Sequence, residues 1–371
     1  MTLVHFRLVP LIALAFAGAI AAAPRPDAST GPRHAKAAEW SRSGDTVRLA
    51  VLSPWKGARK PLRHILIPAG TGSANSTDGD IRLPARRIAC LAAVHVGYLA
   101  ALGETGRIVA VDAGRSVYDA GVRARVADRR IVEVGSGAGL NVEKLLAAKP
   151  DLVLANAVGA SENAALDRLR RAGVPVLVTA EWMESDPLAR AEWVRLIGIL
   201  VGAEARADSL FAAVETSYRH RAGEARGMVP RPTVLLGSPF RDQWFVAGGR
   251  SFMARLLRDA GAEYLWAEDT TAGGVPLGFE AVLARARGAD EWLHPGDWRG
   301  LGDGLKRDAR FAVFGAFKRG DVYDHDARRR EDGADDYWES GAVRPDRVLA
   351  DLVSIFHGGE DSLFYYRRLP P

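Results

Sequence analysis

Asn141-Val142-Glu143-Lys144-Leu145-Leu146-Ala147-Ala148-Lys149-Pro150-Asp151-Leu152-Val153-Leu154 decides the architecture. Apolar residues at helical spacing run from Val142 to Lys149, Pro150 and Asp151 end them, and Leu152–Ala155 follows as a short apolar strand. A strand without a polar face is buried on both sides, which a parallel sheet covered by helices provides. The same grammar extends outward. Strands are expected at Ile88–Ala92, Ile108–Val111 and Val174–Val178, with helices at His95–Gly103 and Ser161–Ala172 between them. Alternation of this kind predicts an α/β lobe around a mainly parallel sheet.

Beyond Pro187 the pattern turns helical, first through Leu188, Ala191, Val194, Ile197 and Val201, then after Gly202 through Ala205, Leu210, Phe211 and Val214 to about Arg226. The second piece is roughly 36 Å long at ~1.5 Å per residue, enough to cross between lobes. Past Pro230 and Pro232 the alternation resumes with a strand at Val234–Gly237, helices at Phe252–Ala260 and Glu280–Ala286, a strand near Glu291–Leu293 and a closing helix, Pro345–His357. An internal echo links the halves. Gly139-Leu140-Asn141-Val142-Glu143-Lys144-Leu145-Leu146-Ala147, before Asp151 and a strand, is matched by Pro276-Leu277-Gly278-Phe279-Glu280-Ala281-Val282-Leu283-Ala284, before Asp290 and a strand. Each copy places a glutamate in the first turn of a short helix, a position the helix dipole alone favours. The expected fold is α/β, with two Rossmann-like lobes of mainly parallel sheet joined by a single long α-helix: N-terminal lobe 83–202, interlobe helix 203–227, C-terminal lobe 228–371.

A chain of 371 residues suits two lobes better than one core. Hydrophobic residues make up 48% and charged residues 26%, ordinary for a folded protein. Basic residues outnumber acidic ones only by 50 to 45, spread along the chain, so no nucleic-acid surface is expected. At the N-terminus His5 and Arg7 precede an apolar run from Leu8 to Ala23 that ends in small residues. The run falls short of the ~20 residues of a membrane span and reads as a signal peptide, residues 1–23. Residues 24–82 are expected to form a flexible tail, Pro24 to Ala38, then an N-terminal β-hairpin or edge strands at Thr46–Leu52 and Leu62–Pro68, with a loop from Gly70 to Asp80. Cys90 is the only cysteine, which leaves no intrachain disulfide and no lipid-accepting cysteine at the cleavage site. A soluble periplasmic monomer is expected.

Signals of catalysis fall short. Gly135-Ser136-Gly137-Ala138-Gly139 sits between a strand and a helix, but Leu140 stands where a dinucleotide fingerprint needs its third glycine. Gly249-Arg250-Ser251 begins like a nucleophile elbow, yet Met253 replaces the closing glycine. The eight histidines show no metal-binding spacing; His95, His294 and His325 remain able to meet through loops as ligands of a directly bound metal. No enzyme, no cofactor and no resident metal are expected.

Several segments together resemble the substrate-binding proteins of ABC importers, in the class that carries ferric siderophores, haem or cobalamin. They are Arg87-Ile88-Ala89-Cys90 through Leu102-Gly103-Glu104-Thr105-Gly106-Arg107-Ile108-Val109-Ala110-Val111, the opening stretch from Asn141 to Leu154, Ser185-Asp186-Pro187-Leu188-Ala189-Arg190-Ala191-Glu192-Trp193, Trp244-Phe245-Val246-Ala247-Gly248-Gly249-Arg250-Ser251, Val275-Pro276-Leu277-Gly278-Phe279-Glu280, and Asp336-Tyr337-Trp338-Glu339-Ser340-Gly341-Ala342-Val343-Arg344-Pro345-Asp346. The resemblance covers Leu83 to the C-terminus. It implies two lobes on one helical spine that move little against each other. It also implies one glutamate per lobe for docking on arginines of the two permease subunits, and Glu143 and Glu280 occupy those positions. Complementary charges of this kind steer encounter and fix register.

In open α/β sheets a ligand lies beyond the carboxyl ends of the strands. Those ends carry His95, Arg115, Tyr118, Asn156, Glu181 and Trp182 in the first lobe, and Phe240, Arg241, Trp244, Arg250, Trp298, Tyr337 and Trp338 in the second. Aromatic residues suit a shallow cleft for a bulky ligand, and arginines suit an anionic chelate. The expected function is periplasmic capture of an iron complex, a ferric siderophore first, and delivery to an inner-membrane ABC permease dimer with its ATPase. Haem or cobalamin comes second; a periplasmic enzyme or a sensor on the same fold comes after. Genes for a permease and an ATPase beside this one would separate importer from enzyme.

Overall fold

The computed structural model describes residues 31–70, 80–157, 160–241, 243–359 and 363–371. The expected signal peptide and most of the Gly70–Asp80 loop lie outside the described residues. β1 (Ala38–Ser43), β2 (Thr46–Val51), β3 (Leu62–Pro68) and β4 (Asp80–Leu83) form a four-stranded sheet in sequence order, antiparallel except for the β3–β4 pair. Its inner face buries Trp40, Leu49, Val51, Leu66 and Ile81. The structure thus has two more paired strands here than a hairpin. It also corrects the flexible tail: residues 33–37 are tied down, because their consecutive N–H groups donate to the buried carboxylates of Glu192 and Glu184. Composition alone does not reveal long-range partners of this kind.

The first lobe follows as β5 (Ile88–Cys90), α1 (Ala93–Ala101), β6 (Ile108–Val111), α2 (Ala120–Ala127), β7 (Val132–Glu133), α3 (Val142–Ala147), β8 (Leu152–Asn156), α4 (Ala160–Arg171) and β9 (Val176–Thr179). Its sheet has the order β7-β6-β5-β8-β9 and is parallel throughout. Leu152 to Ala155 are all buried, as an uninterrupted apolar strand requires. Asn141 caps α3 by accepting the Lys144 N–H at 2.8 Å, so this helix starts where the cap dictates.

α5 (Pro187–Val201) begins with Asp186 as cap and Pro187 in its first turn, and ends at Gly202, whose φ of +71° suits glycine. The spine is α6 (Glu204–Ala225), 22 residues long and so about 33 Å. It packs along α5 and against the last helix of the second lobe.

The second lobe runs β10 (Thr233–Leu236), β11 (Pro239–Phe240), β12 (Gln243–Ala247), α7 (Phe252–Asp259), β13 (Glu263–Tyr264), β14 (Gly274–Leu277), α8 (Phe279–Ala286), β15 (Glu291–Leu293), α9 (Leu301–Arg307), α10 (Gly315–Arg319), β16 (Val322–Asp324), α11 (Asp336–Ser340), α12 (Pro345–His357) and β17 (Arg367–Arg368). The main sheet, β13-β10-β15-β16-β17, is parallel except for its last strand; β11-β12-β14 make a small antiparallel sheet. The core here is aromatic. Trp292 has the rings of Trp244, Trp298, Phe311 and Phe314 with centroids 5.3–5.6 Å away.

The lobes are braced a second time by α11, which lies on α1. Gly97 permits this contact, since a Cβ there would sit 1.8 Å from the Glu339 carbonyl oxygen. The Glu339 carboxylate reaches the first lobe and accepts the N–H groups of Tyr118 and Asp119 at 2.6 and 2.9 Å. Burial pushes its pKa up to about 7.

Candidate functional site

At the carboxyl edge of the first lobe a polar chain links four side chains. His95 in the first turn of α1 meets Thr179 Oγ1 through Nε2 at 2.9 Å; Thr179 donates to Asn156 Oδ1 at 2.7 Å; Asn156 Nδ2 donates to Glu181 Oε1 at 3.3 Å. Burial holds His95 neutral, with its pKa lowered to about 4, and raises that of Glu181. His95 Nδ1 and Glu181 Oε2 are buried without a partner among the described residues. His95 therefore lies beneath the surface, in the wall of the lobe.

The second lobe presents rings instead. His294 and His325 directly follow β15 and β16, with centroids 4.8 Å apart. His294 has a φ of +56°, a strained conformation for a residue with a side chain, and its Nε2 meets the Tyr366 hydroxyl at 2.7 Å. Burial and the neighbouring His325 lower its pKa well below the ordinary value. His325 stacks on Tyr337 at 4.3 Å. Burial opposes its charge, but Asp335 and Asp324 outweigh that and raise its pKa. His95 does not join these two histidines: among the described residues no three His, Cys, Asp or Glu side chains are grouped to hold a metal ion.

Between the lobes lies a pocket of about 430 Å³ lined by Phe245, Phe252, Met253, His294, Tyr337 and Trp338, with Arg190 on the first-lobe side. Arg190 stands in the first turn of α5. Its guanidinium covers the Phe252 ring at 3.7 Å and donates to the carbonyls of Glu184 at 3.0 Å and Trp182 at 2.8 Å. No carboxylate among the described residues comes within 4.0 Å of it. A cation held by neutral acceptors beside aromatic walls can bind an anionic group of a bulky, partly apolar ligand.

The structure thus brings Tyr337 and Trp338 into the pocket, with Glu181 and Trp182 behind Arg190. It takes Trp244 and Trp298 out of it: they are 0% and 1% exposed, sealed in the aromatic core because large apolar rings pack there with more contact than a wet cleft allows. Arg241 is exposed and rests on Phe240, 5.5 Å from its ring. Arg115 and Arg250 are exposed and do not line this pocket, because each stands on an outward-facing turn. Tyr118 lines a separate recess on the far side of α11 with Arg328 and Arg330. Ser251 of the elbow-like sequence is the cap of α7, accepting the Ala254 N–H. Arg190 and Phe245 were missed as site residues; a lone cation in the first turn of an otherwise buried helix was the available signal. Glu143 and Glu280 are both exposed in the first turns of α3 and α8.

A two-lobed α/β protein with a helical spine and an interlobe pocket has a place to hold a small ligand. Residues 88–328 match the periplasmic binding protein family, and the chain belongs to it. It is 24% identical over 286 residues to an uncharacterized lipoprotein of Methanocaldococcus jannaschii, covering 75% of this chain and 66% of that one. It is 26% identical over 232 residues to an uncharacterized ABC transporter substrate-binding lipoprotein of Bacillus subtilis, covering 62% and 70%. The chain therefore spans about two thirds of the length of these relatives. The crystal structure of a periplasmic heme binding protein from Pseudomonas aeruginosa superposes with a TM-score of 0.59 at 22% identity, covering 77% of this chain and 99% of that one.

Proposed function

We propose that this protein captures an anionic iron complex outside the cytoplasm, a ferric siderophore, and delivers it to an ABC importer of the inner membrane. Arg190 carries the reading: a guanidinium with no carboxylate partner among the described residues, in the wall of an aromatic pocket between the lobes. The Bacillus relative's description as an ABC transporter substrate-binding protein supports the importer, and exposed Glu143 and Glu280, one per lobe, would meet its two subunits. Haem is the second reading, favoured by His294, a neutral imidazole in the pocket wall beside Tyr337. Tryptophan-fluorescence titration with ferric tris-catecholate (trianionic), ferrichrome (neutral) and iron(III) protoporphyrin tests both. Arg190→Ala should weaken the anionic chelates at least tenfold and ferrichrome little, since a charge-assisted hydrogen bond contributes about 1.5–3 kcal/mol. Equal weakening of neutral and anionic probes overturns the role of Arg190, and binding of none of them overturns the ligand class. An iron-porphyrin spectrum that shifts in the wild type but not in His294→Ala would select haem.

A further inference from the structure

The segment that precedes the family match reaches the pocket through two residues. Lys36 and Ala37 donate their N–H groups to the Glu184 carboxylate at 2.9 and 2.8 Å, and Trp193 Nε1 approaches it at 3.4 Å. Glu184 closes the short turn Glu181–Met183. The carbonyl of Glu184 and that of Trp182, within the turn, are the two that hold the Arg190 guanidinium. The side chain of Glu184 thus faces the N-terminal arm while its backbone faces the ligand arginine. On the arm side a recess of about 330 Å³ lies between Met183 and the β2–β3 loop at Trp55.

We propose that the N-terminal arm is part of the binding apparatus: by holding Glu184, residues 36 and 37 fix the turn whose carbonyls position Arg190, and so set the affinity for anionic ligands. The inference rests on Arg190 being the anion-binding group. Arg33, His34 and Ala35 anchor the same arm on Glu192, which is 0% exposed, so the arm is an ordered strap and its pull on Glu184 is fixed in direction. Glu184 and the arm are positioning groups; neither lines the pocket.

The test uses full-length protein with three substitutions. Lys36→Pro removes a donor without touching the turn, Glu184→Ala removes the acceptor, and Glu184→Gln keeps one acceptor oxygen. Leu145→Ala, in the buried face of α3 far from the arm, is the control for lost stability. Hydrogen exchange across residues 181–190 is read without ligand, and dissociation constants are read with ferric tris-catecholate, iron(III) protoporphyrin and ferrichrome. Lys36→Pro and Glu184→Ala should speed exchange in the turn at least tenfold and weaken the anionic chelates about tenfold, with ferrichrome changed less than threefold. Glu184→Gln should restore most of both, and Leu145→Ala should move neither. Unchanged exchange in Glu184→Ala, or unchanged affinity with faster exchange, overturns the proposal. Should the wild type bind none of the probes, the proposed ligand class fails alone and the exchange comparison still decides the coupling of arm to turn.

Discussion

The two lobes are each built on a five-stranded sheet, of order β7-β6-β5-β8-β9 in the first and β13-β10-β15-β16-β17 in the second, but finish their strands with different chemistry. At the carboxyl edge of the first lobe, His95, Thr179, Asn156 and Glu181 are linked in a chain whose outer atoms, His95 Nδ1 and Glu181 Oε2, have no partner among the described residues; at that of the second, His294, Tyr337, Trp338 and Phe245 present rings to the pocket. A buried polar chain fixes the shape of its surroundings because breaking any link leaves an unpaired group. Exposed rings offer area and adapt to what they cover. To the pocket lining the first lobe supplies one cation, Arg190, and the second supplies the rings.

Two tryptophans of the second lobe sharpen this contrast most strongly. Trp244 is sealed in the core and donates through Nε1 to the Leu236 carbonyl, whereas Trp338 is 60% exposed at the pocket. Trp244→Ala should lose about 3–5 kcal/mol of unfolding free energy. Trp338→Ala should lose under ~1 kcal/mol, as a surface change does, yet weaken ligand binding. Denaturant unfolding beside ligand titration separates the two, and a Trp338→Ala variant that binds like the wild type would break the division between core and pocket rings.

Next in size is the brace between the lobes. The folded-state pKa of Glu339, about 7, stands above the 4.5 of an unfolded glutamate, so the folded protein holds this proton more tightly. The stability it contributes is complete below about pH 4.5 and is lost as pH rises through about 7, by on the order of 3 kcal/mol in all. Asp324, pushed up to about 6 by burial, adds the same sign at lower pH. Comparing Glu339→Gln with the wild type isolates the brace: thermal melts from pH 5 to 8 should show a steeper fall for the wild type. Parallel profiles would mean that the N–H groups of Tyr118 and Asp119 hold the carboxylate ionised throughout.

Much of the fold was legible because it rests on periodicity. The strand expected near Glu291–Leu293 and the helix expected at Pro345–His357 stand at those bounds, and the other expected strands and helices of the lobes fall within a few residues of theirs. The arm was not legible, because five backbone N–H groups meeting Glu184 and Glu192 are contacts between residues about 150 positions apart and leave no local pattern. The small sheet β11-β12-β14 was hidden by short strands with exposed members such as Phe245. For the candidate site, strand ends pointed to the edge of the sheet where the pocket lies, but whether a tryptophan there turns inward or outward depends on neighbours distant in sequence. Trp244 and Trp338 differ on that ground alone. Arg190 escaped notice because it sits on a helix, one turn inside its start, and not at a strand end.

The smallest expected effect concerns surfaces that face away from this contrast. Glu143 and Glu280 occupy equivalent first turns in the two lobes, each on a helix that leads down to the next strand of its sheet, β8 or β15. That placement puts both on the carboxyl-edge side, exposed and outside the pocket lining. They are not identical in setting: Arg310, drawn to Asp308, also feels Glu280 and lies over Phe279 at 4.0 Å. Exposed ion pairs are individually worth under ~1 kcal/mol, so either single alanine variant should retain part of the proposed transport, with Glu143→Ala the more damaging because Arg310 already attends Glu280. Losing both removes steering and register together, and the gap between wild type and double variant should shrink as ionic strength rises, because salt screens the wild type's charges. Stimulation of the cognate permease's ATPase in liposomes, set beside ligand affinity, reads this out. Normal stimulation by the double variant, or a loss of ligand affinity in it, would show that these glutamates do not dock the importer.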